Sequence, residues 1–109
     1  MSTQDRTTDY LYSTLGGDPD LGEIVDEFVA EMPDRVEKLQ RLAAAADWES
    51  LRRTAHQFKG AAGSYGFDVL TTSAAQLEAA AAAPTEGDIL KQVNELAALC
   101  RRARGGVPE

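Results

Sequence analysis

Between Leu21 and Cys100 the apolar residues recur at steps of three and four, the spacing that turns one face of an α-helix toward a core. The first run is Leu21, Ile24, Val25, Phe28, Met32, Val36, Leu39 and Leu42. Pro33 interrupts it. Proline has no amide donor and clashes with the preceding turn, so this run predicts two helices, near 20–31 and 33–46, with a kink or break between them. Asp47 is an N-cap candidate for a helix beginning at Trp48, whose stripe is Leu51, Ala55, Phe58, Ala62 and Tyr65. Gly66 suits its end, where glycine accepts the left-handed backbone. Asp68 is placed to cap a further helix carrying Leu70, Ala74, Leu77 and Ala81, which Pro84 ends. Thr85 and Asp88 resemble a capping box before a last helix with Ile89, Val93, Leu96 and Cys100. Arg101, Arg102 and Arg104 fall in its final turn, where positive charge favours the helix dipole.

Four amphipathic helices joined by short loops predict an all-α fold, an antiparallel four-helix bundle with an additional short N-terminal helix or a kinked helix pair. The alanine runs Ala43–Ala46 and Ala79–Ala83 agree, alanine being the strongest helix former. At 109 residues the chain has the size of one domain. Residues 1–18 are polar and close on Gly16, Gly17 and Asp18-Pro19. They predict a flexible, solvated arm, with a short helix around Tyr10–Leu15. The bundle is expected over 19–104 and a frayed tail over 105–109.

Charge and composition exclude several functions. Eighteen acidic against eleven basic residues give a net charge of −7, which opposes binding to nucleic acid or to an anionic membrane. The polar start MSTQDRTTDY has no signal-peptide core, and no apolar run is long enough to span a bilayer, so a cytoplasmic protein is expected. One histidine and one cysteine, 44 residues apart, do not make a zinc set, and Cys100 on an apolar stripe reads as a small core residue. Walker, nucleotide-binding glycine-rich and nucleophile-elbow motifs are lacking, so no metal, no cofactor and no self-phosphorylation from ATP are expected.

The chemistry concentrates in Arg52-Arg53-Thr54-Ala55-His56-Gln57-Phe58-Lys59-Gly60-Ala61-Ala62-Gly63. At about 100° per residue, Leu51, Ala55, Phe58 and Ala62 share the core face, and His56 lies on its flank, open at least partly to water. Gly60 and Gly63 fall on the same side as His56. Glycine inside a helix costs roughly 0.5–1 kcal/mol relative to alanine, so two beside one histidine suggest clearance for another surface. Lys59 and Arg52 border the patch, with Arg53 beside them; cations here favour a phosphoryl group or an acidic partner. An imidazole is substantially neutral and nucleophilic at pH 7, and its second nitrogen calls for an oriented acceptor.

The string His56-Gln-Phe-Lys59-Gly60, followed after five residues by Gly66, resembles the HxxKGxxxxxG signature of histidine-phosphotransfer (HPt) domains. The variant AHQFKGAAGSYGF is similar to the phosphotransfer domain of CheA-type kinases, and the likeness covers about residues 20–100. It implies a phospho-accepting His56 on the second bundle helix and Lys59 as a phosphate- and charge-stabilising cation. Glu78 then matches the position of the acidic or amide residue that hydrogen-bonds the histidine from the next helix. Ala61 stands where the family often has serine.

The resemblance implies a phosphorelay carrier that is not itself an enzyme. The expected partners are a response-regulator receiver domain, which would supply the Mg²⁺, and a sensor histidine kinase; the cations and clearance around His56 make Arg52, Arg53, Gly60 and Gly63 the expected docking surface, and with no surplus apolar face evident a monomer is expected. A non-catalytic interaction bundle would tolerate loss of His56. A small hydrolase would need a nucleophile or metal that is not evident.

Overall fold

The computed structural model describes residues 10–84 and 88–106. Its helices are α1 (Gly22–Ala30), α2 (Met32–Ala44), α3 (Trp48–Ser64), α4 (Asp68–Ala82) and α5 (Ile89–Arg102). Helices α2 to α5 pack in a ring, each against its neighbours in sequence and α5 back against α2. Short connections between spatial neighbours make this an up-down-up-down bundle. Its core is drawn from every helix and includes Val36 and Leu39 of α2, Leu51 and Phe58 of α3, Leu70 and Leu77 of α4, and Val93 and Leu96 of α5. Cys100 belongs to it; burial pushes its thiol up to about 12, so it stays protonated.

The predicted interruption at Pro33 is a break. Helix α1 stops at Ala30, Glu31 caps both helices, and Pro33 sits in the first turn of α2, where its missing donor has no intrahelical partner to lose. Helix α1 is bound through Phe28, whose ring centroid lies 4.7 Å from that of Tyr65 and 6.0 Å from that of Phe58. The Arg35 guanidinium covers the same rings, 5.1 Å from the centroid of Phe28 and 5.7 Å from that of Phe58. Leu21 and Ile24, read from the period as core, are partly exposed because α1 is only nine residues long and buries just Val25 and Phe28.

Asp47 caps α3 as expected, its carboxylate accepting from the Ser50 amide at 3.3 Å. Asp68 does not cap α4: Phe67 holds that position, and Asp68 is the first helical residue, where its charge still suits the dipole. Of the capping box before α5, Thr85 lies outside the described residues, and Asp88 makes no side-chain cap. Arg104 is not in the last turn of α5, which stops at Arg102.

The segment before α1 differs from expectation. Tyr10–Leu15 is not a helix: Leu11–Tyr12 form β1, which pairs in parallel with β2, Ala103–Arg104. Ser13 donates to the Tyr65 carbonyl at 2.5 Å, and the Thr14 amide donates to the Gly66 carbonyl at 3.1 Å. Arg104 stacks on Tyr10 at 4.1 Å and donates to the carbonyls of Arg101 and Ala103, holding the segment against the end of α5. The extended strand instead satisfies carbonyls that α3 leaves at its end and pairs with the backbone just past α5. Residues 1–9 and 107–109, the outer parts of the expected arm and tail, lie outside the described residues.

Candidate functional site

The rotation of α3 is fixed by Leu51, Ala55, Phe58 and Ala62, all buried. His56, one residue past Ala55, therefore leaves the core stripe, and its side chain is 62% exposed. Leu70, Ala74, Leu77 and Ala81 fix α4 in the same way. Glu78, one residue past Leu77, stands at the seam between α4 and α3 with its side chain 23% exposed.

The two helices bring three side chains into one chain of bonds. Glu78 Oε2 lies 2.9 Å from Nδ1 of His56, and Glu78 Oε1 lies 2.8 Å from Nζ of Lys59. The Lys59 hydrogen bond is the main reason the Glu78 carboxyl is held below its ordinary range; partial burial opposes the shift, and the His56 hydrogen bond and both neighbouring charges add to it. A carboxylate so held has no proton to give at neutral pH, so Nδ1–H must donate to Oε2. The neutral ring is thereby fixed in one tautomer. Its lone pair is on Nε2, which makes no hydrogen bond or ion pair among the described residues.

Gly60 is open. A Cβ built there would meet nothing within 4 Å, so helix packing does not demand a glycine. Helical side chains lean toward the N-terminus, and a larger residue at 60 would reach back over the His56 ring. Gly63 is placed differently: its Cβ would touch Thr71 Oγ1 of α4 at 3.6 Å, an ordinary contact, so it lines the interhelical seam.

Arg52 and Arg53 also lean toward the N-terminus, away from the ring. Arg52 pairs with Glu49 at 3.2 Å, and Arg53 lines a groove between α3 and α2. Neither bonds to His56, Lys59 or Glu78. The Lys59–Glu78 pair was not foreseen from sequence; Lys59 read as a free cation, because only the meshing of α3 with α4 brings the two together.

A model of the Hpt domain family matches residues 23–106, a span running from α1 through β2. The chain belongs to the Hpt domain family. No curated protein and no solved structure matches it. Hpt domains are phosphoryl carriers in two-component signalling rather than kinases, so histidine phosphotransfer is this domain's role, with receiver domains and kinases as the classes of protein it meets. Among the described residues of this Hpt domain, no helix is long and apolar enough to cross a membrane.

Proposed function

We propose that this Hpt domain accepts a phosphoryl group on Nε2 of His56 and passes it to or from the aspartate of a response-regulator receiver domain, in a relay charged by a sensor histidine kinase. The observation that carries the proposal is the 2.9 Å bond from Nδ1 to Glu78, made while the ring itself stays exposed. As Nε2 attacks phosphorus, the N–P bond forms, and the bond from phosphorus to the aspartyl oxygen breaks. The electron pair of that bond returns to the aspartyl carboxylate. The ring, still protonated on Nδ1, becomes cationic, and the Glu78 carboxylate stabilises the charge as it develops.

Lys59 keeps Glu78 ionised and oriented at rest, and its ammonium lies one turn from the imidazole, within reach of the incoming phosphoryl oxygens. Mg²⁺ comes with the receiver. Gly60 leaves the approach to the ring clear. The domain carries the group without an ATP site of its own, in the cytoplasm, and it works as a monomer: of its exposed large apolar side chains, Leu21 and Ile24 sit together at the start of α1, while Tyr10, Val69 and Leu90 stand on other segments.

The test mixes this protein with a receiver charged by acetyl phosphate. Label appears on the Hpt domain as acid-labile, base-stable phosphate, and His56→Gln abolishes it. Lys59→Ala slows labelling about tenfold while far-UV circular dichroism is unchanged. Label persisting in His56→Gln removes His56 as the acceptor.

A further inference from the structure

On one side of His56 the charges are closed: Lys59 and Glu78 neutralise each other at the α3–α4 seam. On the α2 side they are open. A groove of about 400 Å³ runs between α2 and α3, lined by Lys38, Leu42, Ser50, Arg53, Thr54 and Gln57. It presents two cations and three neutral hydrogen-bonding side chains, and no carboxylate lines it. Arg35, Arg52 and Lys59 each pair with a glutamate, whereas Lys38 and Arg53 have no ion-pair partner among the described residues. In a chain of net charge −7, an acid-free cleft with a cation from each wall is a local reversal of sign.

Its position gives this reversal a use. Arg53 is one helical turn before His56 and Gln57 directly follows it, so the groove opens beside the imidazole. A protein interface covers about 800 Å² per partner, which reaches roughly 16 Å from its centre. One helical turn advances only about 5.4 Å. A partner centred on Nε2 that extends over α2 therefore covers the groove. The ring itself takes the phosphoryl group, so what enters the groove is the partner's own surface. A domain that holds an aspartyl phosphate with Mg²⁺ gathers carboxylates around that site.

We propose that the α2–α3 groove is a second docking point, in which Lys38 and Arg53 clamp an aspartate or glutamate side chain of the receiver domain that approaches His56. This rests on the phosphotransfer reading for the identity of the partner. Ser50, Thr54 and Gln57 line the same groove and offer hydrogen bonds to the receiver surface around that carboxylate, and the groove sets which receivers are accepted. Charges of this kind act mainly on encounter rate and partner choice.

The experiment titrates purified receiver domains of the source organism against the full chain and takes the Kd of those that bind. Lys38→Glu and Arg53→Glu each raise the Kd about fivefold, combining a lost exposed ion pair with a new repulsion. Lys38→Arg and Arg53→Lys leave it near the wild-type value. Lys91→Glu on α5 makes the same charge change away from the groove and shifts the Kd less than twofold. Added salt weakens wild-type binding more than it weakens the two reversals. Circular dichroism confirms that each variant is folded. Reversals that shift the Kd no more than Lys91→Glu, or a panel in which no receiver binds, overturn the groove. Transfer to His56 alongside an indifferent groove refutes this proposal alone. Groove-dependent binding without labelled His56 refutes phosphotransfer and leaves the groove standing.

Discussion

Glu78 has two oxygens and gives each to a different neighbour, Oε2 to His56 and Oε1 to Lys59. Both neighbours donate, so only a carboxylate satisfies both at once. Glutamine in its place keeps one acceptor and turns an NH₂ group toward the other donor. Glu78→Gln is therefore expected to slow transfer to His56 about tenfold in single-turnover labelling, the scale at which an orienting partner acts. An unchanged rate would show that the ring needs no anchor. The same carboxylate also ties stability to pH. Its folded value is depressed, so the native state binds fewer protons than the unfolded chain as pH falls. The stabilisation is complete above the ordinary glutamate value of 4.5 and fades as pH drops below it toward the lower folded value. Denaturation of wild type and Glu78→Gln should accordingly converge in acid and diverge above about pH 5. His56, Lys59 and Gly60 are legible in the sequence because one helix sets their spacing. Glu78 is legible only through the family resemblance, since the register between α3 and α4 decides which acid on α4 meets the ring.

Helices α2 and α3 end alike. At each C-terminus the amide two residues past the cap reaches back to a free carbonyl: Asp47 to Leu42 at 3.0 Å, and Phe67 to Ala62 at 2.9 Å. The intervening residue must adopt positive φ. It is Gly66 after α3, at 81°, but Ala46 after α2, at 55°. A left-handed alanine costs about 1–2 kcal/mol, part of which a glycine would return as unfolded-state entropy. Ala46→Gly should stabilise the domain by about 0.5–1 kcal/mol. Gly66→Ala should destabilise it by about 2 kcal/mol or more, because its Cβ would also stand 2.6 Å from Ser13 Oγ and 2.7 Å from Thr14 Oγ1. Urea denaturation of both variants checks the pair; equal shifts of one sign would contradict the geometry. These ends show what local sequence reveals. Pro33, Asp47 and Gly66 act through their own backbone or nearest turn, so the positions of the breaks could be read directly. Ala46 carries no such signal, because four consecutive alanines do not say which of them turns left-handed. Tyr10–Leu15 is misleading for the opposite reason: its structure is set by α3 and β2, far away in sequence.

At the scale of the whole molecule, the proposed phosphotransfer site and the closure of the chain are separate. His56 and Glu78 are placed by the meshing of α3 and α4, whose buried stripes fix both rotations. The N-terminal segment binds elsewhere, at the α3–α4 turn and along Ala103–Arg104, with Leu11 and Leu15 packed against the core. Removing residues 1–15 would leave the carbonyls of Tyr65 and Gly66 without these donors and expose the apolar surface beneath the two leucines. Two hydrogen bonds at about 1 kcal/mol each, with roughly 1 kcal/mol for the partly buried leucines, suggest a loss near 3 kcal/mol. For a domain of this size that lowers the Tm by roughly 12 °C. If the four-helix bundle alone positions the imidazole, the truncated protein, assayed well below its new Tm, should take phosphate from a charged receiver at the full-length rate. A rate that falls with the Tm would mean that the strand at the chain ends holds α3 and α4 in register, and that the site depends on the entire fold.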